Sequence, residues 1–101
     1  MEYIVLTCMV VPEGEYYVSK CLELGTASFG QTSQEAFDNL VAATEVYLST
    51  LQDLGECRQV LKEKRVKVYS YEPAELEVRR AKFPVGSTVR PKVMAIQPAC
   101  A

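Results

Sequence analysis

The chain has 101 residues, 49% of them apolar and 24% charged. That suits one domain with one core and is too short for two. It contains no histidine, which excludes histidine-based acid–base catalysis and Ser-His-Asp or Cys-His nucleophiles, and its apolar runs fall well short of the ~20 residues of a membrane span.

Glu2–Val11 reads as a strand that is apolar on both faces. Ile4, Leu6, Cys8 and Val10 point one way, and Tyr3, Val5, Thr7, Met9 and Val11 the other. One face can take a helix, and the second needs other cover. No basic segment precedes this strand, so no signal peptide is expected and a cytoplasmic location is. Pro12–Glu15 is a turn, and Tyr16–Cys21 is the returning strand. Leu22–Gly25 is a short connection, and Thr26–Phe29 is a third strand closed by Gly30.

The spacing then predicts a long helix over Thr32–Leu54. Phe37, Leu40, Val41, Tyr47, Leu48, Leu51 and Leu54 form a stripe at steps of three and four, with Thr44 its one polar member. Thr44 can bond back to the Leu40 carbonyl. Thr32 and Glu35 have capping-box spacing, Thr32 accepting from Glu35 N–H and Glu35 reaching back to Thr32 N–H. Gly55 suits the C′ position.

Glu56–Arg65 is charged and reads as a short second helix or a linker. Val66–Tyr71 alternates and reads as extended, broken by Glu72-Pro73. Ala74–Lys82 alternates as a one-sided strand. Thr88–Ile96 is a last strand whose Pro91 puts it at an edge or a bulge. The fold class is therefore α+β, an antiparallel sheet with one long helix in the order β-β-β-α-β(-β). Residues 1–55 form its β-β-β-α core, and residues 56–101 complete the same single domain.

The four cysteines, Cys8, Cys21, Cys57 and Cys100, lack paired C-x-x-C spacing. This argues against zinc and for free thiols in a reducing compartment. Cys8 and Cys21 sit on adjacent strands, with the register open. The glycines are isolated and form no phosphate-binding loop. Asp38 and Asp53 lie about 22 Å apart along the helix, too far for a two-metal site. No catalytic residue, cofactor or metal is expected.

Charge is segregated: residues 1–55 carry a net −7 and residues 56–101 a net +5. The simplest use is mutual neutralisation within the fold; the others are subunit joining or separate acidic and basic faces. Two basic runs, Lys62-x-Lys64-Arg65-x-Lys67 and Arg79-Arg80-x-Lys82, could contact phosphates, although solvated surface explains them as well. Tyr69 and Tyr71 beside Lys67 suit a stacking surface or an ordinary strand edge.

Three pieces between Tyr3 and Leu54 together resemble the HicB-like antitoxin domain. They are the hairpin Tyr3–Val18, the run from Cys21-Leu22-Glu23-Leu24-Gly25 to Ser28, Gly30 and Thr32, and Glu35-Ala36 with Asn39, Leu40, Ala43, Tyr47 and Leu48. The family patterns are C-P-E-L-G-x-x-S-x-G-D-T and E-A-x-x-N-L-x-E-A-x-x-x-Y-L. Leu22, Gln31 and Ala42 depart from them. The resemblance covers about half of the chain. It implies a truncated RNase H-like fold without nuclease carboxylates, and a non-enzymatic protein that masks a small mRNA-cleaving HicA-type toxin.

The candidate partner-binding residues are Glu13, Glu15 and Glu23, which at turns read more simply as solvent-facing charges. Residues 56–101 show no helix pair for operator binding, so sequence-specific DNA binding is not expected. A stand-alone oligomeric module is the other protein-binding reading, and a homodimer or larger is expected from the two-faced first strand and the edge strand. The alternative is an RNA-binding module using Arg79, Arg80 and Lys82. No membrane partner is expected.

Overall fold

The computed structural model describes residues 1–76, 79 and 81–97. Its fold is α+β, a five-stranded antiparallel sheet with two helices. The elements are β1 (Glu2–Glu13), β2 (Tyr16–Cys21), β3 (Ala27–Gly30), α1 (Ser33–Asp53), α2 (Cys57–Glu63), β4 (Val68–Tyr69) and β5 (Thr88–Ile96).

β1 is the axis of the sheet. Along one edge it pairs with β5 from Glu2↔Ile96 to Val10↔Thr88. Along the other it pairs with β2 from Cys8↔Cys21 to Glu13↔Tyr16, and with β4 at Tyr3↔Tyr69 and Ile4↔Val68. β3 then adds to β2. The last strand matches its sequence reading, and Pro91 lies on an edge strand. Its position has a reason. The Thr7 carbonyl accepts from Leu22 N–H at 3.0 Å on the opposite edge of β1. By the alternation of an antiparallel ladder, Thr7↔Pro91 is then a non-hydrogen-bonded pair, so the nitrogen that cannot donate faces the outer side.

The core lies between α1 and the face of the sheet that carries Ile4, Leu6, Cys8 and Val10, all buried. From the helix it takes Ala36, Phe37, Leu40, Leu48 and Leu51. α1 begins and ends within one residue of its expected bounds. Thr32 Oγ1 accepts from Glu35 N–H at 3.0 Å, but Glu35 Oε1 takes the N–H of Gln31 (3.1 Å) instead of Thr32. Thr44 donates to the Leu40 carbonyl at 2.8 Å and meets Thr26 Oγ1 at 2.8 Å, so the polar member of the stripe is buried and satisfied. Leu54 departs from the predicted stripe: as the C-cap it lies 65% exposed. Arg90 of β5 stacks over the Phe37 ring at 3.9 Å and closes one end of the core.

The Glu56–Arg65 segment is a helix, with Cys57 and Leu61 buried. The strand expected over Ala74–Lys82 is not formed by its described residues, and Glu77, Val78 and Arg80 lie outside them. Arg79 N–H bonds a side chain, Thr7 Oγ1 at 2.7 Å, instead of a ladder carbonyl.

Helix and sheet come into tight approach where β3 turns into α1. A Cβ on Gly30 would lie 2.6 Å from the backbone nitrogen of Ala36, and backbone cannot move aside as a flexible side chain does. Gly30→Ala is therefore expected to destabilise the fold by about 2–3 kcal/mol, measured by chemical denaturation.

Candidate functional site

At Val5–Thr7, β1 has left β2 and has not yet met β4. The carboxylate of Glu23, from the connection after β2, fills this gap. Its Oε1 accepts from Thr7 N–H at 2.7 Å and its Oε2 from Thr7 Oγ1 at 2.8 Å. Thr7 Oγ1 in turn accepts from Arg79 N–H. Arg79 Nε stands 4.0 Å from Glu23 Oε2, and an Nη atom donates to the Lys64 carbonyl at 2.9 Å. Glu23 is only 8% exposed. Hydrogen bonds to both oxygens are what make a buried carboxylate tolerable. The expectation that Glu23 faces solvent is thus corrected: the hairpin acids Glu13 and Glu15 are exposed, while Glu23 is structural.

Cys8 and Cys21, left open in register by the sequence, are directly opposed, and both are buried free thiols. Burial pushes Cys8 up to about 12, helped by Cys21 and Glu23. Burial also raises Cys21, whose Sγ lies 3.8 Å from Glu23 Oε1. Such thiols are poor nucleophiles. The expectation of free thiols throughout is corrected at Cys57, which is buried and disulfide-bonded. Cysteine usage therefore no longer argues for a reducing compartment. Cys100 lies outside the described residues.

The face of the sheet away from α1 carries an exposed apolar patch. Tyr16 is 54% and Phe29 66% exposed, and with Val18, Ala27 and Ser28 they line a hollow of about 520 Å³. Tyr16 and Phe29 meet edge to face at 6.5 Å. The register explains the cluster, because Val11, Val18 and Phe29 form one row across β1, β2 and β3. Glu13 is registered opposite Tyr16, Glu15 precedes Tyr16 in the hairpin, and Lys20 lies towards the other end of β2. Alternation along β2 and β3 was the signal that could have found it.

Of the basic residues, Lys82 is exposed, Arg79 is anchored as above, and Arg80 lies outside the described residues. Among the described residues no group of three or more Cys, Asp or Glu is placed to hold a metal. Among the described residues no helix is long and apolar enough to cross a membrane. Comparison of the chain with protein-family models, with curated proteins and with solved structures finds no match.

Two predictions follow from the buried groups. Glu23→Ala strands the Thr7 donors and is expected to cost about 3 kcal/mol, whereas Glu23→Gln keeps an acceptor for Thr7 N–H and costs less; urea melts of both variants distinguish them. Cys8 binds its proton more tightly folded than unfolded, so its contribution to stability is fully present below pH 9.0 and is lost progressively as pH rises towards about 12. Thermal melts between pH 8 and pH 10.5 are expected to show a smaller alkaline decline in Cys8→Ala than in the natural chain.

Proposed function

We propose that this chain is a non-enzymatic protein-binding module of the HicB-like kind, whose docking face is the outer surface of β2 and β3. The observation that carries the reading is the exposed Tyr16–Val18–Phe29 patch, with exposed Glu13 opposite Tyr16 and exposed Glu15 next to it in sequence. Contiguous exposed aromatic and aliphatic side chains on a sheet face mark interaction surfaces. Acidic residues beside such a patch favour encounter with a basic partner. These features suit a small basic RNA-cleaving toxin, the partner that the resemblance of Tyr3–Leu54 implies. Glu23 takes no part in docking, since both its oxygens serve Thr7.

The same face supports the stand-alone oligomer as a second reading. Glu15 immediately precedes β2, and Lys20 lies towards its far end. A two-fold axis through Val18, crossing the strand, would set the acids of one copy against Lys20 of the next. RNA binding through Arg79, Arg80 and Lys82 as one patch draws on no specific contact among the described residues.

Co-expression with a small basic HicA-type toxin tests the proposal. The expected result is a stoichiometric complex in which RNA cleavage is suppressed, lost on Phe29→Asp while the variant's circular dichroism is unchanged. For the oligomer, light scattering is expected to give a dimer at micromolar concentration that Phe29→Asp makes monomeric. A monomer that forms no complex would exclude both.

A further inference from the structure

The two helices end in the same backbone motif but with different residues at its critical position. In α1, Glu56 N–H bonds the Leu51 carbonyl and Gly55 N–H the Gln52 carbonyl, with Gly55 at φ 70°. In α2, Val66 N–H bonds the Leu61 carbonyl and Arg65 N–H the Lys62 carbonyl, with Arg65 at φ 57°. This is the Schellman ending, whose C′ residue adopts the left-handed conformation and is usually glycine. Arg65 is the one described non-glycine residue with positive φ. The fold therefore carries conformational strain at a position where glycine would remove it.

Arg65 lies on a cleft of about 220 Å³, together with Lys67, Tyr69 and Arg79, over a floor that includes Val5 and Glu23. The cleft opens beside the gap in the edge of β1. Three cations thus line it against one carboxylate, Glu23, whose Oε2 lies 4.0 Å from Arg79 Nε, so the lining keeps an excess of positive charge. Arg79 is fixed in place by the Lys64 carbonyl while its side chain stays 39% exposed. Lys67 Nζ sits 5.0 Å from the centre of the Tyr69 ring. The volume is several times the ~30 Å³ share of a water molecule, enough for a tetrahedral oxyanion. Arginine offers a planar fork of donors matched to such oxygens.

We infer that this cleft, walled by Arg65, Lys67 and Arg79, is a binding site for a phosphoryl group, and that the strained Arg65 is retained for its charge. The site is separate from the β2–β3 docking face and does not depend on it. The phosphoryl group can belong to a free phosphate or to a nucleotide whose base meets Tyr69.

Backbone amide shifts are followed by NMR during titration with inorganic phosphate, ribose 5-phosphate and AMP, at ionic strength held constant with sodium chloride. Saturable shifts around Arg65, Lys67, Tyr69 and Arg79 are expected. Tighter binding of AMP than of ribose 5-phosphate assigns a nucleotide, and equal binding assigns the bare phosphoryl group. Arg65→Gly is expected to raise the melting temperature while weakening phosphate binding about threefold to fivefold, the scale of one exposed ion pair. Lys67→Gln is expected to weaken binding without that gain in stability. Absence of saturable shifts at the cleft with all three compounds overturns the inference, as does undiminished phosphate binding by Arg65→Gly.

Discussion

The pairing of Glu23 with Thr7 is the contact on which the arrangement around β1 turns. A central strand needs both of its edges satisfied, and on one edge β1 changes partner from β2 to β4. A backbone donor left bare at that change would cost about as much as a lost hydrogen bond. Glu23 meets it by giving one oxygen to Thr7 N–H and the other to the hydroxyl of the same residue. That hydroxyl then accepts from Arg79 N–H, which brings the segment after β4 back across the sheet. One carboxylate thereby ties the connection after β2, the middle of β1 and the segment leading to β5.

The opposite face of β1 works by close packing. Gly30 lets the start of α1 approach the sheet at backbone distance. Ser19 donates to the Ala36 carbonyl at 2.7 Å, and Thr26 meets Thr44, so the polar groups trapped between helix and sheet satisfy one another. With α1 committed to this face, the apolar row Val11–Val18–Phe29 is left on the other. The proposed docking surface is thus a consequence of having one long helix for a sheet that is apolar on both sides.

Periodicity made much of this legible. The Phe37–Leu51 stripe, its caps at Thr32 and Gly55, the back-bond of Thr44 and the span of β5 all follow from local rules, since caps and i to i+4 bonds involve residues close in sequence. What local rules missed was set by distant partners. Glu23 reads as a solvent charge until Thr7, sixteen residues away, is seen to need it. The Ala74–Lys82 alternation resembles a strand, but the described residues form none, and Arg79 N–H bonds the Thr7 hydroxyl. The opposition of Cys8 and Cys21 depended on the hairpin register. The cleft beside Arg65 was half visible as a basic run, whereas its strain shows only in a dihedral angle.

Amide hydrogen exchange at Thr7 tests the central role of Glu23 most directly. Thr7 N–H has no strand partner, yet its bond to the buried Glu23 carboxylate predicts protection equal to that of Met9, whose neighbours on β2 form an intact ladder. Exchange of Thr7 at the rate of an exposed loop amide, with Met9 still protected, would contradict the account.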